Sequence, residues 1–286
     1  MQFLKCPIYI LKFFLIIFVM CLCGCDSGIL FPKGNIALEQ RSLILTSFLV
    51  MLLIIIPVFF MTFFFAIRYR ETNINANYRP NWSQSNIVEM FIWGLPIIII
   101  IFLSTLSWKS AHDLDPHRKI ISNVEPIKIN VISLDWKWLF IYPGEKIATI
   151  NELVFPVNTP IVFELTSSSV MNSFFIPSLG SQIYTMAGMK THLNLIANTS
   201  GIYSGISANY SGVGFSDMKF RTVVTPNFLL FKEWINKVKR SPYQLSSMSS
   251  FKRIAHPSQR NAIEYYSNVK DHLFSIVIKK SRDVKE

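Results

Sequence analysis

SLILTSFLVMLLIIIPVFFMTFFFAI, residues 42–67, contains no charged side chain from its first position to its last. A helix rises ~1.5 Å per residue and a bilayer's hydrocarbon core is ~30 Å thick, so about 20 apolar residues cross it, and this run exceeds that length. Pro57 lies inside the run, which a helix in lipid tolerates when neighbouring groups satisfy the freed carbonyl. A second charge-free run, residues 90–108, carries Pro96. The connector 68–89 holds Arg68, Arg70 and Arg79 against Glu71 and Glu89. This arginine excess assigns the connector to the cytoplasm, so both outer ends of the hairpin, and everything after Trp108, fall on the other side of the membrane. Of the 286 residues, 51% are hydrophobic, well above the share in a soluble domain of that length.

Upstream, residues 1–24 have the layout of a signal peptide. Lys5 and Lys12 precede an apolar run, 13–22, that is too short to span, and small residues follow. Leu22-Cys23-Gly24-Cys25 resembles a bacterial lipobox, in which the last thiol accepts a diacylglycerol and becomes the mature N-terminus. Cys25 is therefore the expected lipid attachment site, followed by a short periplasmic segment, 25–41. All four cysteines of the chain (Cys6, Cys21, Cys23 and Cys25) lie here, so cleavage before Cys25 leaves no thiol for a disulfide or a metal downstream. The net charge of +11 raises nucleic acid as a partner, but no groove-reading helix, zinc finger or RNP-like strand accompanies it. Membrane topology accounts for part of that excess.

From about residue 113 to 225 the pattern turns to short strands between turn residues. Ile127, Ile129 and Val131 alternate; Ile161-Val162-Phe163 and His192-Leu193-Asn194-Leu195-Ile196 follow. A β-sandwich or Greek-key barrel is expected. Residues 227–240 switch to a helical period that sets Phe228, Phe231, Ile235 and Val238 on one face. The whole tail, 226–286, reads as basic and partly helical, and its sequence assigns it no particular role.

Two segments carry the chemical information. They are Met171-Asn172-Ser173-Phe174-Phe175-Ile176-Pro177, and Gly205-Ile206-Ser207-Ala208-Asn209-Tyr210-Ser211-Gly212-Val213-Gly214-Phe215-Ser216-Asp217-Met218. They resemble the two copper-ligand segments of the cupredoxin domain in cytochrome c oxidase subunit II, one of the haem-copper oxidases. That family's first histidine falls on Asn172. Its pattern Cys-x-Glu-x-Cys-Gly-x-x-His-x-x-Met falls on Ser207, Asn209, Ser211, Gly212, Phe215 and Met218. The spacing is kept and the ligands are gone. A dinuclear copper centre needs bridging thiolates and imidazoles, whereas serine stays protonated near neutral pH and Phe215 offers no lone pair. Met218 alone holds nothing, and His112, His117, His192, His256 and His272 form no ligand-spaced cluster with it. No metal is expected in this chain.

A copper relay serves an enzyme fed by a soluble cytochrome; quinol, dissolved in the bilayer, needs none. The chain is thus similar to subunit II of a cytochrome bo-type ubiquinol oxidase from the lipobox to about Thr225, including Leu38-Glu39-Gln40-Arg41-Ser42-Leu43-Ile44-Leu45-Thr46 and Asp135-Trp136-Lys137-Trp138. The resemblance implies a two-helix transmembrane hairpin, a periplasmic copper-free cupredoxin-like β-sandwich and a partly helical tail. It also implies a bacterial inner-membrane location and a non-catalytic role in a quinol-oxidising, oxygen-reducing, proton-translocating oxidase. Haems, copper and ubiquinol would belong to partner subunit I, with further small membrane subunits and membrane lipid as neighbours, and no nucleic acid or soluble cytochrome c as partner. A copper-bearing oxidase is disfavoured by the missing cysteines. A free-standing lipoprotein that assists metal-site assembly would need no second, apolar hairpin to hold it.

Three further features have competing readings. Period-two geometry places Trp136 and Trp138 on one face of a strand, where packing against the sandwich is the expected role. His112 and His117, with Asp113 and Asp115 between them, are read as solvated residues beside the second helix rather than as a metal site. Glu89 has a structural reading, reaching back in a capping box to Asn86 at a helix N-terminus that favours a carboxylate. The resemblance adds a second, entry to the K proton pathway, and the two are compatible.

Overall fold

The computed structural model describes residues 30–74 and 81–283, so Cys25 and the 1–24 segment lie outside the described residues. The chain divides into two compact units, with boundaries after Ala37 and before Ile121.

The unit of residues 38–120 holds most of two helices, α1 (Asn35–Arg68) and α2 (Asn86–Asp113), both long and apolar enough to cross a membrane. Both outrun the charge-free stretches, because polar residues such as Glu39 and Lys109 continue a helix beyond the apolar layer. Pro57 and Pro96 sit within them without ending either. Their apolar side chains, Phe59, Phe60, Ile92 and Trp93 among them, are exposed, which in water would expose a large apolar area. The cap of α2 is Ser85 rather than Asn86, with no side-chain bond to the helix; the Glu89 N–H donates to the Ser85 carbonyl at 3.0 Å. Starting the helix one residue early takes Glu89 out of capping-box register.

The second unit is a sandwich. Its strands are β1 (Ile127–Leu134), β2 (Lys137–Tyr142), β3 (Ile147–Ile150), β4 (Glu152–Pro156), β5 (Ile161–Ser167), β6 (Asn172–Phe175), β7 (Gln182–Thr185), β8 (Thr191–Leu195), β9 (Gly201–Ser207), β10 (Lys219–Thr225) and β11 (Glu264–Tyr266). One sheet runs β11-β3-β2-β1-β5-β8 and the other β4-β10-β9-β6-β7. The pairs β1–β5 and β4–β10 are parallel, the remainder antiparallel. Between the sheets Trp138, Phe140, Phe163, Phe174 and Phe220 are buried in ring contact, with Phe174 stacked on Phe220 at 5.1 Å. Gly205 is obligatory there: a Cβ would stand 2.0 Å from the Phe220 ring opposite it.

The alternation expected at Ile127, Ile129 and Val131 holds for the first half of β1 and then stops. Ile132 and Leu134, like Leu139, Ile141 and Ile150 on the neighbouring strands, are buried on the sheet's other face. What covers them is the tail. Helices α3 (Phe228–Lys239), α4 (Met248–Ala255) and α5 (Leu273–Asp283) belong to the same unit as the sandwich. Leu245, Phe251, Ile254, Val269, Leu273, Phe274 and Val277 pack with those strand residues, and β11 extends the sheet beside β3. Each such side chain, fully buried, contributes ~1.5–3 kcal/mol. Helix α3 buries Phe231, Ile235 and Val238 as its period predicts, with Asn227 capping the Leu230 N–H at 2.9 Å. Phe228, expected on the same face, is instead 52% exposed beneath the Lys232 ammonium.

Candidate functional site

The copper-ligand positions do converge. Strand β6 pairs with β9 so that Phe174 faces Ser207, and the Ala208 N–H donates to the Ser173 carbonyl at 3.0 Å. Asn172 and Ser207, both buried, are thereby brought together, and the serine hydroxyl donates to Asn172 Oδ1 at 3.2 Å. Asn209 Nδ2 donates to the Met171 carbonyl at 3.2 Å, tying the second loop to the first. Ser211 Oγ lies 4.0 Å from the sulfur of buried Met218. Phe215 packs edge-on against Tyr210, ring centroids 5.6 Å apart.

These groups do not suit copper. Hydroxyl and amide donors bind it weakly in place of thiolate and imidazole, and Asn172 and Ser207 already satisfy each other. Among the described residues no set of three or more His, Cys, Asp or Glu side chains is arranged to hold a metal ion. His112 and His117 are exposed. The His117 backbone N–H and then its ring, 3.2 Å away, lower the pKa of Asp115.

The expected pairing of two tryptophans on one strand face is overturned. Asp135 and Trp136 form the two-residue turn between β1 and β2, with Trp136 at φ +65°, whereas Trp138 enters the core. From that turn the Trp136 indole reaches the second ligand loop, donating to the Ser211 carbonyl at 3.0 Å. Its ring lies on Gly212 and Gly214, and at Gly214 a Cβ would stand 2.4 Å from it. The pattern Gly212-x-Gly214 opposite an aromatic turn is the signal that strand periodicity overlooked. Glu89 is exposed in the first turn of α2.

With that geometry in place, comparison with known proteins is direct. Residues 127–225 match the family model for the cytochrome c oxidase subunit II periplasmic domain, and residues 239–281 match the COX aromatic rich motif. A protein of Buchnera aphidicola subsp. Baizongia pistaciae named cytochrome bo(3) ubiquinol oxidase subunit 2 is 63% identical, over 97% of this chain and 97% of its own length. The chain belongs to the ubiquinol oxidase subunit 2 family. The cytochrome bo(3) ubiquinol oxidase subunit 2 of Pseudomonas aeruginosa is 47% identical over 96% of this chain and 82% of that protein. The ubiquinol oxidase subunit 2 of Acetobacter aceti is 48% identical over 91% and 84%. The aromatic rich motif identifies what the tail is. Tyr243, Phe251, Tyr265, Tyr266 and Phe274 are its rings, scattered too widely for one helical or strand period to reveal them.

Proposed function

We propose that this chain is the copper-free bracing subunit of its oxidase: it carries no electrons and shapes the outer face of a partner subunit that does. The chain is part of a quinol oxidase, an oxygen-reducing, proton-translocating complex of the respiratory chain. The finer assignments are a lipid-anchored inner-membrane subunit with its sandwich in the periplasm, and haems, copper and quinol held by partner subunit I. The observation that carries the reading is the buried Ser207–Asn172 hydrogen bond, which fills a kept copper-loop frame with groups that cannot serve copper. The loop face adds support. Val170, Met171, Tyr210 and Val213 are 41–76% exposed around it, and its one charged residue, Asp217, is paired with Arg260 at 3.2 Å. A neutral apolar rim suits a permanent protein neighbour rather than a soluble cytochrome steered by charge. Purification in mild detergent tests this directly: a haem-bearing partner should come with the chain, and recovery of the chain alone would return the free-standing lipoprotein reading to the front.

Glu89 is proposed as the proton entry. It is a carboxylate at the connector end of a membrane-length helix, where it can take protons from water and hand them inward. Glu89→Ala should lower oxygen consumption per haem several-fold at normal haem content, and Glu89→Asp should retain more. An unchanged rate per haem retires the role, leaving only the attraction of a carboxylate to the helix N-terminus. Cys25 is proposed as the acylated N-terminus. The mass of the intact subunit should show loss of residues 1–24 and gain of lipid, and a retained Met1 would contradict it.

A further inference from the structure

Both chain connections to the two long helices leave from one end of the sandwich. Lys33 and Gly34 lie on that end. The Asn198 N–H donates to the Lys33 carbonyl at 2.8 Å, and Gly34 bridges to Ala197 so closely that a Cβ would stand 2.5 Å from the Ile196 carbonyl. Helix α1 begins at the next residue, and its first turn is fixed there, with Ile36 against the core and Ala37 buried. The chain arriving from α2 enters at the same end, because Ile127 pairs with Ile161 and Ile161 with Leu195, two residues before Ala197.

The turn into α3 belongs to this end too. The Asn158 N–H donates to the Ala197 carbonyl at 2.8 Å and the Val157 N–H to the Thr225 carbonyl at 2.9 Å, so the chain after Thr225 leaves from the edge that holds Gly34. Phe228, Leu229 and Leu230, which open α3, are 40–65% exposed. Three large apolar side chains exposed in succession differ from the single ones scattered over an ordinary surface. Lys232 and Glu233, one turn on, are exposed and of opposite charge, so charge does not select what meets this turn.

We infer that Phe228, Leu229 and Leu230 are a lipid footing: they insert among the phospholipid headgroups of the outer leaflet, beside the start of α1. This rests on the reading of α1 as a helix that crosses the membrane from the periplasmic side. Continuity with that helix selects lipid as the occupant. From Asn35 to Ser42, where the charge-free run begins, α1 rises about 10 Å. The headgroup layer is roughly 5–8 Å deep on each side, and interfacial apolar side chains bury ~5–10 Å into its boundary, so the edge that holds Asn35 is within reach of it. Phe31, exposed two residues before Lys33, adds an aromatic ring of the kind that sits at headgroup level. The footing is separate from the ligand loops. Strands β9 and β10 run antiparallel, with Val224 opposite Gly201 at the footing end and Lys219 opposite Ile206 at the loop end.

Photocrosslinking in the purified oxidase, held in bilayer discs of zwitterionic phospholipid, tests the footing. A benzophenone side chain in place of Leu229 should add the mass of phospholipid to this chain on irradiation. The same side chain in place of Val213, exposed in the ligand loops, should not. Leu230→Asp, with the benzophenone kept at position 229, should lower the phospholipid adduct several-fold, because a carboxylate draws the turn back to water. Crosslinking of position 229 to a partner subunit in place of lipid shows that protein covers the turn, and overturns the inference. Equal phospholipid adducts at the two positions, a yield indifferent to Leu230→Asp, or adducts that form only when anionic phospholipid is added overturn it as well. Retention of the chain in the discs and haem recovered with it report on the membrane and subunit readings separately, so a missing adduct in a haem-bearing disc falls on the footing alone.

Discussion

The loops around Asn172 and Ser207 and the chain beyond Arg240 keep their shapes by different means. The loops leave Tyr210 and Val213 largely exposed and depend on backbone pairing, on hydrogen bonds such as Asn209 Nδ2 to the Met171 carbonyl, and on the Trp136 ring laid over Gly212 and Gly214. The tail has the opposite make-up. Leu245, Phe251, Leu273, Phe274 and Val277 are almost fully buried, and the face they bury against belongs to strands more than ninety positions earlier in the chain. Strand pairing sets the loop frame without any metal ligand, so hydrogen bonds alone can hold it. A segment held by apolar burial has no frame apart from the surface it covers.

The sharpest test of that contrast is chemical restoration of the loops. Asn172→His, Ser207→Cys, Asn209→Glu, Ser211→Cys and Phe215→His together, with Met218 kept, should give a chain that binds copper stoichiometrically, with the purple colour of thiolate-to-copper charge transfer, where the parent chain is expected to bind none. A complex that assembles with these residues yet stays copper-free would show that the loop frame is not as well preserved as its hydrogen bonds imply.

Truncation comes next in size. Phe274→Ala should destabilise the sandwich by ~3–5 kcal/mol, since it opens a cavity against the sheet, whereas Ser207→Ala should cost only ~1 kcal/mol for a lost neutral hydrogen bond. Denaturant or thermal unfolding of the assembled complex compares them. Equal losses would erase the distinction between the two regions.

An effect smaller than that of Phe274→Ala concerns the polar tie that fastens the tail. The Tyr265 hydroxyl donates to Glu152 Oε2 at 2.7 Å, and the Trp234 indole donates to the same oxygen at 3.1 Å. Tyr265→Phe should cost ~1–3 kcal/mol, because the buried Glu152 loses a donor. Burial, then the Glu152 carboxylate, push the Tyr265 pKa from 10.0 up to about 12. A pKa raised on folding favours the protonated form, so the Tyr265 contribution is complete below pH ~10 and is lost as pH rises towards ~12. Wild type and Tyr265→Phe should therefore converge in stability across that window. A gap that stays constant through it would place the effect in packing instead.

Much of this protein is legible residue by residue. The charge-free runs 42–67 and 90–108 set two membrane-length helices, because transfer into lipid depends on local composition. The absence of thiolate and imidazole at Ser207, Ser211, Asn172 and Phe215 is likewise a local fact, whatever surrounds them. Periodicity also found α3, erring only at Phe228. Tertiary structure decided the rest. It put Trp136 in a turn rather than on a strand face, moved the cap of α2 to Ser85, and buried both faces of β1 and β2. It also set Lys137 beside Ser258, a contact across 121 positions. The burial of both strand faces and the Lys137 contact depend on which distant segment supplies the facing surface, and a local period cannot encode a partner that lies outside its own window.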